Sequence, residues 1–160
     1  MLGQLDENHI EKVLHSQVLG RIGCHANGTT YIVPVYYAYD GVCIYARSSE
    51  GLKIELMRQN PKVCFEVENI EDLANWKTVI LWGEFEEITD AKERKAALEI
   101  FLNRHMPIVS GEMSRFTSNW PFQSDDMEEV TGVFYKINIE KKTGRFENYR
   151  GFDEVSQPHL

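Results

Sequence analysis

Two short turn signals constrain the fold of this chain more than any other feature. Asn27-Gly28 and Asp40-Gly41 each separate segments that are rich in β-branched and aromatic residues. Both central residues of a type I′ turn need positive φ, which makes Asn-Gly and Asp-Gly the strongest short-range hairpin signals. The sequence therefore predicts three consecutive antiparallel strands, in the segments VLGRIGCH, TTYIVPVYYAY and VCIYA.

Three helices are expected around these strands. Asp6 can cap a first helix, a second helix runs from about Glu50 to the Asn60-Pro61 step, and a third begins after Asp90. The segments KVCFEVE, WKTVILWGEFEEI and GVFYKINIE predict three further strands, and the second of these is long enough to bend at Gly83. A short hairpin through Thr143-Gly144 is expected after the last strand.

This order of elements indicates the fold class. About six antiparallel strands with short hairpins, few helices and no βαβ alternation favour a mainly β (α+β) fold, a small closed barrel with flanking helices. A chain of 160 residues is long enough for one sizeable core, so we expect a single domain over residues 1–160.

Composition and charge restrict the classes of partner that the protein is expected to bind. A formal net charge of −8 leaves no overall positive field for nucleic acid, so an anionic ligand needs a local cluster of cations. The N-terminus lacks a signal-peptide pattern, and no stretch approaches the ~18 apolar residues of a membrane span. We therefore expect a cytoplasmic protein that binds neither nucleic acid nor membrane.

Cys24, Cys43 and Cys64 lie in apolar runs typical of buried thiols, and no His/Cys spacing predicts a metal site.

A cluster of polar residues stands where the third strand gives way to the second helix. Arg47, Ser48, Ser49 and Lys53 surround the expected helix N-terminus, whose amide groups and partial positive charge favour an anion. This pattern predicts a phosphate site. The alternative is that Ser48 or Ser49 is simply the N-cap, Glu50 the usual first-turn acid, and Lys53 a solvated side chain.

An ordered series of motifs carries a resemblance to a known family. A strand with a Pro-Val-aromatic step is followed by a hairpin, a second strand, a helix start with Gly-x-Lys and an Asn-Pro stop. A polar residue then stands five places before a strand glycine. The matching positions are Val33, Pro34, Val35, Tyr36, Tyr45, Gly51, Leu52, Lys53, Asn60, Pro61, Thr78 and Gly83. Residues 15 to 90 thus resemble the pyridoxamine 5′-phosphate oxidase-like split barrels, in the branch of the nitroimidazole-resistance-like proteins.

The resemblance implies an FMN site in a six-stranded antiparallel split β-barrel. It places the phosphate against Arg47, Ser48, Lys53 and Thr78. It places the ring along Val33, Pro34, Val35 and Tyr36 and beside Tyr45, with Ala46 and Leu52 completing the site. It also implies a homodimer with the flavin at the subunit interface. Four aromatic residues are candidates for that interface, although large aromatics of a small barrel are usually core: Trp76, Trp82, Trp120 and Phe122.

Departures from the family pattern limit the functional prediction. Related proteins commonly have histidine at position 47 and, among the true oxidases, arginine at position 52, where this chain has Arg47 and Leu52. We therefore interpret Arg47 as a replacement phosphate ligand. The C-terminal segment lacks the substrate-binding Trp and Arg of the true oxidases, so pyridoxine-phosphate oxidation is not expected.

The resemblance then implies an oxidoreductase that moves reducing equivalents from NAD(P)H through FMN to a small electron acceptor, of which nitroaromatic compounds are one class. No side chain is assigned as a general acid or base. Two alternatives stay open: a flavin carrier without turnover, and a haem-binding split barrel with His9, His15 or His159 as the iron ligand.

Overall fold

The computed structural model describes residues 1–104 and 131–148. The strands are β1 (Leu2–Gln4), β2 (Leu19–Ala26), β3 (Thr29–Tyr39), β4 (Cys43–Ser48), β5 (Lys62–Asp72), β6 (Asn75–Glu87) and β7 (Val133–Asn148). The helices are α1 (Glu7–Ser16), α2 (Leu52–Gln59) and α3 (Ala91–Leu102). The sheet order is β1-β7-β4-β3-β2-β5-β6, and an additional β7–β6 pairing closes it into a barrel. The predicted antiparallel barrel is confirmed.

The two turn signals produce the predicted hairpins by different local geometry. Asn27 and Gly28 both have positive φ, at 50° and 77°, as a type I′ turn requires. In the second turn Gly41 has positive φ but Asp40 does not, and the Asp40 carboxylate accepts hydrogen bonds from the amides of Val42 and Cys43 at 2.8 and 2.7 Å. The aspartate thus closes its loop with its side chain.

The barrel interior is filled by the inward residues of each strand and covered by α1. The buried residues of α1, Ile10, Val13 and Leu14, join the main core, and Asp6 caps the helix as predicted by accepting from the amide of His9. The Tyr37 hydroxyl inside the core donates to the Leu14 carbonyl at 2.7 Å. This bond satisfies a polar group that would be costly to bury unpaired.

The last strand departs from expectation. β7 runs without interruption to Asn148, so the hairpin predicted through Thr143-Gly144 is wrong. The strand continues because it pairs with β6 along one edge and with the unpredicted β1 along the other. A Cβ at position 144 would lie 2.8 Å from Leu5 Cβ, so the glycine admits close packing there rather than a turn.

Gly83 marks an irregularity in β6, as expected. The register between β6 and β7 shifts between Trp82 and Gly83, and a Cβ at position 83 would lie 2.2 Å from the Asn138 carbonyl oxygen. The glycine therefore allows the two backbones to approach where the long strand bends.

A second, smaller core lies outside the barrel. Ala97, Leu98 and Phe101 of α3 pack with Phe134, and Tyr45 packs against this cluster. The predicted irregular segment 106–130, with Trp120 and Phe122, lies outside the described residues. Within the residues that are described, no helix is both long and apolar enough to cross a membrane.

Candidate functional site

A pocket opens where β3 and β4 separate. The two strands pair only from Tyr37 to Tyr39 on β3, so among the described residues the first part of β3 has β2 on one side and no strand on the other. The gap leads to a pocket of about 470 Å³. Its lining comes from β3, the end of β4, and the connection into α2: Tyr31, Val33, Pro34, Arg47, Ser48, Ser49, Glu50, Gly51, Leu52 and Lys53.

Pro34 lies at the open edge of the sheet, as its missing N–H predicts. The amide of Tyr37 donates to the Val18 carbonyl on the β2 side. Successive amides of a strand point to alternate sides, so the nitrogen at position 34 faces the pocket rather than β2. Proline there removes no hydrogen bond from the sheet, and its ring forms part of an apolar pocket wall.

The N-terminus of α2 opens at this pocket without a side-chain cap. The N-cap is Gly51, which has no side chain that could accept a capping hydrogen bond. Ser48 ends β4 and Ser49 lies in the connection, so the alternative in which one of them is the N-cap is wrong. The first amides of a helix have no intrahelical acceptor. At this end of α2 they are available to an anion.

Lys53 lies beside that helix end. It is partly buried, and burial lowers the pKa of its ammonium group. Over residues 1–104 and 131–148 no carboxylate forms an ion pair with it. A charge withdrawn from water is stabilised by an opposite charge, so the ammonium group is placed to bind an anion that enters the pocket.

Arg47 is directed toward the start of β7. Its Nε donates to the Thr131 carbonyl, and its Nη2 donates to Thr131 Oγ1 at 3.3 Å. Burial, and secondarily the positive charge of Arg94, lowers the pKa of the guanidinium. Arg47 therefore adds positive charge to the pocket wall and also fixes the start of β7.

The Ser48 side chain separates the pocket from the barrel interior. Ser48 is 8% exposed and lies next to the buried Tyr135 hydroxyl, which has no well-formed hydrogen bond to the described residues. Burial raises the pKa of Tyr135, and the Ser48 side chain partly offsets this. Both groups are thus uncharged hydroxyls at the inner end of the pocket.

Six of the predicted site residues line this pocket together: Val33, Pro34, Arg47, Ser48, Leu52 and Lys53. The other five do not line it, and Thr78 among them lies on a different strand. Val35 and Ala46 are 1% and 0% exposed, so their side chains belong to the barrel core. Tyr36 lies on the outer face of β3 opposite Leu19, and Tyr45 packs against the α3 cluster. Val35 shares a face with Val33, but it lies closer to the part of β3 that pairs with β4, whereas Val33 lies in the part that faces the gap.

Thr78 lies in a different part of the barrel. It is on β6, where its hydroxyl donates to Glu66 at 3.1 Å. The sheet order places β2 and β5 between β3 and β6. Strands are about 4.8 Å apart, so Thr78 is separated from β3 by roughly 14 Å along the sheet. Thr78 is thus absent from the lining of the pocket beside α2.

The pocket also contains residues that were not assigned to the flavin site. Tyr31 lines it from β3, two positions before Val33 on the same face. Strand alternation would have indicated this residue, because positions 31 and 33 share a side. Glu50 is an acidic group in the lining, and its carboxylate is bound by Arg58.

Comparison with known proteins shows the family of this chain. The family model described as pyridoxamine 5′-phosphate oxidase matches residues 6–146. The chain belongs to this family. A relative from Rhizobium meliloti, an uncharacterized protein, is 37% identical over 134 residues, covering 79% of this chain and 83% of that protein.

Solved structures of other proteins have the same fold. An FAD-binding protein from Mesorhizobium loti is 31% identical, with a TM-score of 0.72 over 92% of this chain and 99% of that chain. A candidate 5-nitroimidazole antibiotic resistance protein from Bacteroides thetaiotaomicron is 20% identical, with a TM-score of 0.68 over 91% and 87% of the two chains. The second likeness shows the shared split-barrel fold alone.

Two of the histidines considered as iron ligands, His9 and His15, do not line the pocket. His9 contacts Asp6 at 2.7 Å and His15 packs on Tyr39, both on the exposed side of α1. His159 lies outside the described residues. In the described part of the chain, no three His, Cys, Asp or Glu side chains are grouped so as to hold a metal ion.

Proposed function

We propose that the protein binds FMN in the pocket between β3 and α2 and is an FMN-dependent oxidoreductase. The observation that supports this most strongly is Lys53, a partly buried ammonium group beside an uncapped helix N-terminus. Family membership and the FAD-binding relative from Mesorhizobium loti support a flavin as the occupant. We propose FMN rather than FAD because the helix terminus and the lysine suit a terminal phosphate. A terminal phosphate carries more negative charge than either phosphate group of the FAD diphosphate.

The residues of the pocket divide into two groups by chemistry. Lys53 and the first amides of α2 would hold the phosphate, with the Ser48 hydroxyl and the charge of Arg47 nearby. Tyr31, Val33 and Pro34 provide an apolar wall that an aromatic ring system can cover. When bound, the flavin supplies the redox chemistry, while these residues bind and orient it.

The protein is proposed to act as a homodimer with the flavin at the subunit interface. Four residues in register form one row across the outer face of β3, β2, β5 and β6: Ile32, Gly23, Cys64 and Trp82. Ile32 is 64% exposed and Trp82 is 39% exposed, and the glycine leaves the row flat. Pro34 of the pocket borders this surface, so a partner copy that covered the row would also reach the pocket.

A homodimer also gives Thr78 a role. Because Thr78 is on the outer face of β6, away from its own pocket, it would contact a flavin phosphate from the partner subunit. In that arrangement each pocket contains residues of both chains. A Thr78→Ala substitution would then weaken FMN binding only in the dimer.

Anaerobic mixing of the FMN-loaded protein with NADH or NADPH tests the activity. The oxidoreductase predicts loss of the blue flavin absorption band, and its return when an acceptor such as a nitroaromatic compound is added. A carrier without turnover would retain the band in the presence of the reduced nicotinamide. A Soret band in the purified protein would instead support haem binding.

A further inference from the structure

Glu50 is the acidic residue of the pocket lining, and Arg58 holds its carboxylate. Nη1 of Arg58 donates to Glu50 Oε2 at 2.9 Å, and Nη2 donates to Glu50 Oε1 at 3.0 Å. The two parallel bonds form a bidentate pair, which fixes orientation as well as distance. Glu50 thus presents its oxygens to Arg58.

A third residue keeps Arg58 in this position. Glu87, at the end of β6, accepts from Nε at 2.9 Å and from Nη2 at 2.9 Å. Arg58 lies in the last turn of α2, about 9 Å along the helix axis from Leu52 at the first turn. Helical side chains tilt toward the N-terminus, so the long arginine can reach back from the last turn to the connection that contains Glu50.

The electrostatic consequence concerns the anion site. A free carboxylate in the lining would repel a phosphate and would offset the charge of Lys53. With Arg58 bonded to Glu50 and Glu87, the net charge of the three side chains falls from −2 to −1, and the Glu50 oxygens are occupied. Lys53, Arg47 and the α2 amides then set the field in the pocket.

We propose that Arg58 is a positioning residue for phosphate recognition: it holds Glu50 and offsets part of its negative charge, and so allows the pocket to distinguish a phosphorylated flavin from riboflavin. This rests on the proposed function, since it takes the flavin phosphate as the anion at α2. Arg58 itself is absent from the pocket lining, so its effect passes through Glu50.

A double-mutant cycle tests the coupling. Titrations with FMN and with riboflavin would be made on the full chain, on Arg58→Gln, on Glu50→Gln and on the double variant. Arg58→Gln should weaken FMN binding about two- to fivefold at low ionic strength, because an exposed and solvent-screened carboxylate is released near the phosphate. Glu50→Gln should bind FMN as well as the parent or better, and the double variant should match Glu50→Gln within about twofold.

Two controls separate this role from a structural one. Riboflavin affinity should be unchanged in every variant, and added salt should reduce the effect of Arg58→Gln on FMN. Lys62→Gln removes the same charge from a comparable site, because Lys62 bridges Glu84 and Glu140 outside the pocket lining. It should leave FMN affinity as it is.

Three results would overturn the inference. Arg58→Gln could leave FMN affinity unaltered, could weaken FMN equally in the Glu50→Gln background, or could weaken riboflavin as much as FMN. If the parent protein bound neither flavin, the proposed function itself would fail, which is distinct from failure of the coupling.

Discussion

Replacing Lys53 with methionine separates ligand binding from folding. Methionine retains an unbranched apolar stem and removes only the charge, so the packing of α2 on the barrel is preserved. A hydrogen bond to a charged group contributes about 1.5–3 kcal/mol. Lys53 is only partly buried, which favours the lower half of that range. A loss of about 1.5–2 kcal/mol corresponds to roughly a 10- to 30-fold weaker affinity for FMN.

The same substitution should affect the ligand-free protein in the opposite direction. Burial lowers the pKa of Lys53 in the folded state below its unfolded value, so protonation costs folding free energy. That cost is fully present below the folded pKa and disappears as the pH rises through the unfolded value. At neutral pH, Lys53→Met without flavin should therefore have an unfolding temperature equal to or above that of the parent.

Calorimetric titration with FMN and thermal unfolding without it measure the two effects. Lys12→Met, which removes an exposed lysine of α1, is the control for the change in net charge. Unchanged FMN affinity in Lys53→Met would refute the role of Lys53 at the phosphate. A lower unfolding temperature in the absence of flavin would show that the lysine stabilises the fold instead.

Three further predictions concern other parts of the molecule. Arg47→His should weaken FMN binding yet leave turnover at saturating FMN within a few-fold; unchanged affinity with a shifted pH–rate profile would place Arg47 at the reacting end of the flavin. Gly83→Ala should lower the free energy of unfolding by about 2 kcal/mol, because the new Cβ would meet the Asn138 carbonyl at 2.2 Å, whereas Glu84→Ala beside it should change little by denaturant titration. Sedimentation equilibrium should give a dimer, and a stable monomer that retains FMN would contradict a shared site.

The fold could be predicted largely from local signals. Asn27-Gly28 and Asp40-Gly41 indicated the hairpins because Asn27, Gly28 and Gly41 adopt positive φ and the Asp40 carboxylate closes the second loop. The continuation of β7 through Gly144 could not be predicted, because glycine permits both a turn and close packing. The choice depends on Leu5, which is distant in sequence and packs there only in the folded chain.

The site could be predicted in part. The residues around α2 were found because helix-terminus chemistry is local, and Arg47, Ser48 and Lys53 do lie together at one pocket. Val35, Ala46 and Thr78 are not in that lining, since a sequence motif does not specify where along a strand the sheet opens or which strands border the gap. The pairing of Glu50 with Arg58 could not be predicted either, because it depends on how far the long arginine side chain reaches back along α2.

A crystal structure of the protein with FMN is the most direct test. The phosphate is predicted to lie within hydrogen-bonding distance of Lys53 Nζ and the first amides of α2, with the ring against Val33 and Pro34 and Thr78 supplied by the partner subunit. A flavin bound elsewhere on the barrel, or bound with its phosphate away from α2, would contradict the proposed site.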